Sequence, residues 1–552
     1  MTNSVEFKLF APYNKSAALK GCFSNWSEIS MQKDEGGYFR AKVELENGVY
    51  QYKFCVQSQS YFLDTDEWVE VSDPYATEII DDVNQNSVVK IKDGQKIIDT
   101  YVWQHDDKPL PSNEELIIYE LYTGGFSGGE LDSNESGRFE DVINKLDYIC
   151  ELGINAVELM PIHEHPGQNG WGYNPRHYFA VESSYGSTFD LKHLIDECHG
   201  RGIRVLMDCI FNHSESEAPL TKINYDYWYN REPSDPDNSW GPEFNYQKYD
   251  ENLDIKPAWQ FVGDIVRFWI EEYHIDGFRF DAAKQIGNFE FLGWITQQAR
   301  QAVTNKPFFN TAEYIPENPD LVGYGKPMDA CWHESFYQQV LKHTSGDGFD
   351  LDGLKQVIDC KQQGYGGTTS VINYIASHDH KYTLAEFGDR NIFGESAFKR
   401  AKLGTALLMT AVGIPLIWAG NEFGEYNPEE EIKIDWTLLK NDFNQDLLGY
   451  YQGLIAFRKE NHALRTDNID FFYEDPETKV LAYTRWNDEG SRVVVVINFS
   501  GNFLQDYTLD NFPQAGTWHE WTQNYDVEAG EEKLIISLGK YEAQVLVYNP
   551  SD

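Results

Sequence analysis

Arg279 and Asp281 stand two apart in an otherwise apolar run, Tyr273-His274-Ile275-Asp276-Gly277-Phe278-Arg279-Phe280-Asp281-Ala282-Ala283-Lys284. The run has the composition of a strand buried on both faces. Residues i and i+2 of a strand face the same way, so the guanidinium and the carboxylate share one side. Burying such a pair is costly unless each member finds a partner. Taken alone, a structural ion pair at a strand end explains the run as well as a catalytic site does. Acids at comparable places elsewhere in the chain decide between the two.

Three such places exist. Ile203 to Phe211 reads IRVLMDCIF, contains Asp208 and runs into Asn212-His213. Pro307 to Glu313 reads PFFNTAE and ends on Glu313, and Ser370 to Asp379 reads SVINYIASHD and ends on His378-Asp379. Each is a β-rich apolar run with an acid or His at its C-terminal end, followed by a segment long enough to hold a helix. That is the α/β layout of a parallel (β/α)8 TIM barrel, whose active site gathers at the C-terminal ends of the strands. Leu116–Leu121 (LIIYEL), Asn155–Ile162, Met328–Trp332 and Ile414–Trp418 supply the other strands, and Phe139–Leu152, Phe289–Thr304 and Ala397–Thr410 have helical spacing.

The segments DCIFNH, GFRFDA, the Glu of NTAEY and SHD resemble, in order, the four signature regions of the α-amylase family of glycoside hydrolases. Cleaving an acetal needs an acid to protonate the departing oxygen and a carboxylate to take the anomeric carbon. The resemblance implies Asp281 as nucleophile, Glu313 as the acid that later acts as base, and Asp379 as the carboxylate that grips ring hydroxyls. Arg279 would keep Asp281 ionised and aimed, and Asp208 would buttress Arg279. Glu313 would need a raised pKa, which neighbouring carboxylates supply. His213 and His378 would bond sugar hydroxyls. Tyr173, in Trp171-Gly172-Tyr173-Asn174-Pro175, matches the Tyr that walls the cleavage subsite, while Trp171 suits a loop anchor. Lys284 matches a Lys on the leaving-group side, but Gln285 stands where the family's usual His would be. The resemblance calls for no cofactor in the chemistry. A structural calcium stays open: Asn212 matches a calcium-ligating position of many α-amylases, and relatives with an N-terminal module often lack that ion.

The resemblance extends to the ends of the chain. Gly21-Cys22-Phe23-Ser24-Asn25-Trp26, Tyr50-Gln51-Tyr52-Lys53-Phe54 and Asp73-Pro74-Tyr75 resemble the starch-binding-like module that precedes the barrel in branching enzymes, isoamylases and trehalose-releasing hydrolases. Trp26 is expected to pack that module against the barrel rather than serve as a sugar platform. The expected division is a β-sandwich module over 1–100, a catalytic barrel over 101–466 and a C-terminal β-domain over 467–552. The long polar and aromatic segment 224–256 reads as a functional rim loop.

The chain has 552 residues, too many for one core, and a formal net charge of −44. That balance argues against nucleic acid and anionic membrane surfaces, which need basic patches, and is indifferent to a neutral glucan. No apolar run approaches the length of a membrane span, and no signal peptide is visible. The seven Cys never form a CxxC and suit reduced thiols, so a cytoplasmic protein is expected. By resemblance the partner is an α-glucan oligo- or polysaccharide, and the activity is retaining hydrolysis of α-1,4 bonds in glycogen, starch or maltooligosaccharides. Glycogen branching, α-1,6 debranching, trehalose release and a non-catalytic glucan-binding scaffold are the alternatives. The joint presence of Asp281, Glu313 and Asp379 weighs against the scaffold.

Overall fold

The computed structural model describes residues 2–80, 84–128, 135–167, 171–303, 305–323, 325–427 and 433–548. Eight parallel strands close into a barrel in chain order: β1 (Ile118–Leu121), β2 (Ala156–Leu159), β3 (Arg204–Cys209), β4 (Gly277–Phe280), β5 (Phe309–Ala312), β6 (Ala330–Trp332), β7 (Val371–Asn373) and β8 (Ile414–Trp418). All eight are buried along their whole length, as parallel strands covered on both faces must be. Gly277 begins β4 because a Cβ there would lie 2.2 Å from the Phe309 carbonyl oxygen of β5.

By internal packing the chain forms two compact units. One comprises Met1–Pro109, Tyr122–Asn144 and Leu159–Ala312, the other Leu110–Leu121, Lys145–Glu158 and Glu313–Asp552.

In the first unit, residues Asn3–Ile97 form two antiparallel sheets. Strand Asn3–Phe10 alternates cleanly, with Val5, Phe7 and Leu9 inward and Glu6 and Lys8 outward. Trp26 lies in a turn and is 38% exposed. Phe10, Tyr13 and Tyr75 pack across the seam between these sheets and the barrel half of this unit. Phe10 meets Trp228 edge-on at 6.0 Å, Tyr13 meets Tyr227 at 5.5 Å, and Tyr75 stacks on Phe179 at 4.6 Å. The Tyr75 hydroxyl donates to Asp264 at 2.9 Å. Helices α1 (Thr188–Gly200) and α2 (Pro257–Tyr273) precede β3 and β4. The segment before α2 is a kinked helix, Pro219–Trp228, followed by irregular chain pinned at His213–Glu243, Tyr229–Phe244 and Asp250–Ile255.

The second unit ends in antiparallel sheets spanning Ile469–Tyr548, with Trp518, Val494, Val496 and Leu546 in their core. One buried arginine, Arg485, fastens these sheets to the barrel's last helices, and another, Arg458 on the helix Asp442–Glu460, ties that helix to the same carbonyl end. Arg485 donates to the carbonyl of Thr410 at 2.6 Å, and Arg458 to those of Met409 and Gly413, each at 2.8 Å.

Three local expectations fail. The helical stretch 139–152 breaks at Asn144-Lys145 into Phe139–Ile143 and Leu146–Leu152. The β5–β6 connection carries only a one-turn helix at Pro319–Leu321 among its described residues, because Pro316 and Pro319 interrupt it. β7 ends at Asn373, so His378 and Asp379 stand on the loop beyond it rather than at the strand end. Among the described residues no helix is long and apolar enough to cross a membrane.

His163 is a costly polar group in the first unit's core. It is fully buried between Trp269 and Tyr178, and among the described residues neither ring nitrogen has a hydrogen-bond partner. Burial, aided by His165, pulls its pKa from 6.5 to about 3. Between those values the unfolded chain binds the proton and the folded one does not. Stability is therefore complete above pH 6.5 and is lost as pH falls toward 3. His163→Phe should gain about 2 kcal/mol over wild type between pH 8 and pH 5. Urea denaturation at both pH values measures this, and parallel pH dependence in the two proteins would refute it.

Candidate active site

On the first unit, β3 and β4 lie in register with Asp208 opposite Arg279. Neighbouring residues of parallel strands point the same way, so the two side chains meet inside the barrel. Arg279 Nη1 donates to Asp208 Oδ1 at 2.9 Å, to Asp208 Oδ2 at 2.8 Å and to Asp281 Oδ1 at 2.9 Å. Arg279 and Asp208 are fully buried, whereas the Asp281 side chain keeps 11% exposure, so one carboxylate of the three-charge set is open to a ligand. The Asp281 N–H donates to the Cys209 carbonyl at 3.0 Å, which carries β4's pairing one residue past its end. The next residue, Ala282, takes a left-handed conformation (φ 47°, ψ 39°) and turns the chain into the short helix α3 (Ala283–Ile286). A non-glycine residue there costs about 1–2 kcal/mol, which the surrounding pairings hold in place.

The Tyr173 loop closes over this set. The Tyr173 hydroxyl donates to Asp208 Oδ2 at 2.6 Å, and its ring sits 5.8 Å from the Arg279 guanidinium. Gly172 before it has φ 86°, and a Cβ would press on the Pro161 carbonyl at 2.9 Å, so the loop needs glycine. His213 holds the loop from the other side: Nε2–H donates to the Tyr173 carbonyl at 2.9 Å, and Nδ1 accepts from the Asn212 amide at 3.4 Å. Burial lowers its pKa to about 4, so the ring is neutral at physiological pH. The family resemblance assigns His213 to sugar hydroxyls; here its Nε2 is the strut of the Tyr173 loop. Trp240, 48% exposed, lies against the His213 ring at 5.8 Å. Lys284 is exposed on α3, where Ser234 donates to the Gln285 carbonyl at 3.3 Å.

On the second unit, Glu313 stands half-exposed one residue past β5. His378 is buried and bonded through Nδ1 to Glu120 Oε1 at 2.6 Å, and its Nε2 lies 3.3 Å from Asp379 Oδ1. The Asp379 side chain is 43% exposed. Glu120 escaped the sequence reading, although the signal was there: it is a carboxylate inside the apolar run of β1, the same anomaly that marked Arg279. Glu422 escaped too. It is fully buried on the turn after β8, accepts from the phenols of Tyr119 (2.9 Å) and Tyr148 (2.7 Å) and the N–H of Gly420 (2.8 Å), and burial raises its pKa to about 7.

Calcium takes six to eight oxygen ligands, several of them carboxylates. Asn212 instead gives its amide to His213 and its backbone carbonyl to the Phe244 N–H at 3.1 Å. Among the described residues no group of three or more His, Cys, Asp or Glu is placed to hold a metal ion.

Removing one partner of a buried ion pair leaves the other charge stranded, at about 3–5 kcal/mol. Asp208→Asn should therefore destabilise the protein by about 3 kcal/mol. Tyr173→Phe, which leaves the ions paired, should cost only about 1–2 kcal/mol. Urea midpoints rank the two, and a wild-type midpoint for Asp208→Asn would refute the ion-pair account.

The chain was compared with known proteins. Residues 1–76 match carbohydrate-binding module 48 (isoamylase N-terminal domain), 120–335 the alpha amylase catalytic domain, and 473–550 the alpha amylase C-terminal all-beta domain. The malto-oligosyltrehalose trehalohydrolase of Saccharolobus solfataricus is 26% identical, over 96% of this chain and 97% of that protein. The 1,4-alpha-glucan branching enzyme GlgB of Salinibacter ruber is 25% identical, over 93% of this chain and 86% of that one. The crystal structure of pullulanase type I from Bacillus subtilis complexed with maltose shares the fold: TM-score 0.81, 21% identity, 99% of this chain and 84% of that one. On a closed eight-stranded barrel, the chain carries an alpha amylase catalytic domain framed by a carbohydrate-binding module 48 and an alpha amylase C-terminal all-beta domain, the domain set of α-amylase-family glycoside hydrolases and transglycosidases.

Proposed function

We propose that this enzyme hydrolyses α-1,4-glucosidic bonds of maltooligosaccharide-type α-glucans with retention of configuration. The observation that carries the reading is Arg279 Nη1 shared between buried Asp208 and partly open Asp281. Asp208 anchors the cation from behind, and the cation compensates Asp281 and aims its second oxygen at the ligand side. Asp281 attacks the anomeric carbon as Glu313 protonates the departing glycosidic oxygen, which gives a glycosyl-enzyme and a free chain end. Glu313, now ionised, takes a proton from water as the water attacks the same carbon, and Asp281 leaves. Two inversions return the α-anomer. Asp379 and His378 hold ring hydroxyls, with bonds that tighten as the ring flattens. Lys284, exposed three residues past Asp281, is read as bonding leaving-group hydroxyls without sealing the site against water, which supports water over a bound sugar as the acceptor.

Full-length likeness to a malto-oligosyltrehalose trehalohydrolase favours a second reading, in which the same bond chemistry releases trehalose from a maltooligosyltrehalose. Comparing kcat/KM on maltoheptaose and maltotriosyltrehalose separates the two. Proton NMR of fresh product should show the α-anomer first, and β-anomer first would overturn retention. Amylose whose iodine stain falls without new reducing ends would replace hydrolysis by branching.

Asp281→Asn, nearly isosteric, should abolish turnover in a folded protein, and wild-type rates would sink the nucleophile assignment. Losing a charge-assisted hydrogen bond costs about 1.5–3 kcal/mol, so Lys284→Ala should slow short oligosaccharides roughly tenfold to a hundredfold. Long chains should suffer less, because they keep other contacts.

A further inference from the structure

Glu120 is a buried carboxylate whose hydrogen bonds all go to one residue. It is 1% exposed, and it accepts from His378 twice: from Nδ1–H at 2.6 Å and from the backbone N–H at 3.3 Å. Among the described residues no other hydrogen bond or ion pair reaches that carboxylate. Carboxylates that serve the fold are held differently in this protein. Asp276 takes His199, Lys306 and the Val205 N–H, and Glu422 takes two phenols and a backbone N–H. Each of those ties several elements together. Glu120 ties β1 to a single imidazole, and removing an isolated carboxylate from water is costly unless that one contact compensates it.

The imidazole has little freedom besides. Trp332, at the end of β6, meets it edge-on at 5.8 Å, and Trp418, the register partner of Glu120 on β8, meets it at 6.4 Å. Its Nε2 faces Asp379 Oδ1 at 3.3 Å. One carboxylate hydrogen-bonded at Nδ1 and a second 3.3 Å from Nε2 favour the doubly protonated, cationic ring; a ring protonated on Nδ1 alone would turn its Nε2 lone pair toward Asp379.

We propose that Glu120 is a positioning residue for the reaction. It fixes the His378 ring and holds its second proton, so that Nε2–H is presented to Asp379 and to the sugar hydroxyls that Asp379 grips. This rests on the reading of Asp379 as a substrate-gripping carboxylate. Glu120 itself touches no substrate, so its effect passes through His378.

The test is a double-mutant cycle on maltoheptaose with wild type, Glu120→Gln, His378→Asn and the double variant, each checked for wild-type thermal unfolding. Glu120→Gln should lower kcat roughly tenfold to a hundredfold while KM stays within about threefold. In the His378→Asn background the same change should cost less than about threefold. Losses that multiply, or an unchanged kcat in Glu120→Gln, would overturn the proposal. Nitrogen NMR of 15N-histidine-labelled protein reads the same contact without substrate. Wild-type His378 should have both ring nitrogens protonated at neutral pH, and Glu120→Gln should lose one of those protons. A singly protonated His378 in wild type overturns the proposal whatever the kinetics. If no α-glucan is turned over, the functional reading fails while the NMR result still decides the role of Glu120.

Discussion

The cost of keeping a charge away from water governs this structure, and Arg279 is its centre. A guanidinium with no exposure is tolerable only where acceptors meet it in good geometry, and those of Arg279 are carboxylates. That requirement fixes β3 against β4 with Asp208 opposite Arg279, and it selects Gly277 so that β5 can close in. It also brings Tyr173 down onto Asp208, and His213 in behind Tyr173. The arrangement leaves one of the two acids partly open. A buried pair would be complete with Asp208 alone, so the second carboxylate on the same Nη1 is the part that stability does not demand.

Other buried charges are resolved by different chemistry, which helps tell structure from site. Among the described residues Arg485 and Arg458 have no carboxylate partner; Arg458 and the Nη1 of Arg485 donate to carbonyls at the C-terminal end of α4 (Gly394–Thr410) and just beyond it, and the other Arg485 donors go to the carbonyls of Leu464, Thr466 and Asn468. Those carbonyls carry the negative end of the helix dipole. Burial still lowers the pKa values, to about 10 for Arg485 and about 9 for Arg458. Both stay charged at neutral pH; Arg485 holds the closing β-sheets to the last helices of the barrel, and Arg458 holds the helix Asp442–Glu460 to the end of α4. Glu422 takes the opposite course and moves toward its neutral form, at about 7, among phenols. Each of these groups joins several chain segments, whereas Glu120 joins one, and that contrast points past the fold to the reaction.

How much of this was legible in the sequence depended on the range of the interaction responsible. The eight strands could be read because parallel strands buried on both faces leave continuous apolar runs, and Asp208, Arg279 and Asp281 could be read as violations of those runs. His378 and Asp379 were recognised as residues but misplaced on the strand, because nothing local marks where β7 stops pairing at Asn373. Glu120 breaks an apolar run as plainly as Arg279 does, but its meaning rests on a partner 258 residues away. The seam within the first unit has the same character: Tyr75 and Phe10 fill it by packing on segments distant in the chain. Local rules found the anomalies, and only tertiary structure could say what each was for.

Strand ends alone do not set the outcome of the reaction. On the proposed mechanism, water and a sugar hydroxyl compete for one intermediate, and a tenfold change in that partition needs only about 1.4 kcal/mol. The ionic set on β3 and β4 cannot vary by so little, since breaking it costs several times more. The rim can. Ser234 holds the excursion to Gln285 by one 3.3 Å hydrogen bond, and Lys284 and Trp240 stand exposed beside it. A single hydrogen bond made or broken there is worth as much as the whole difference between hydrolysis and transfer. Selection can therefore retune the acceptor at the rim while the buried charges hold the carboxylates still.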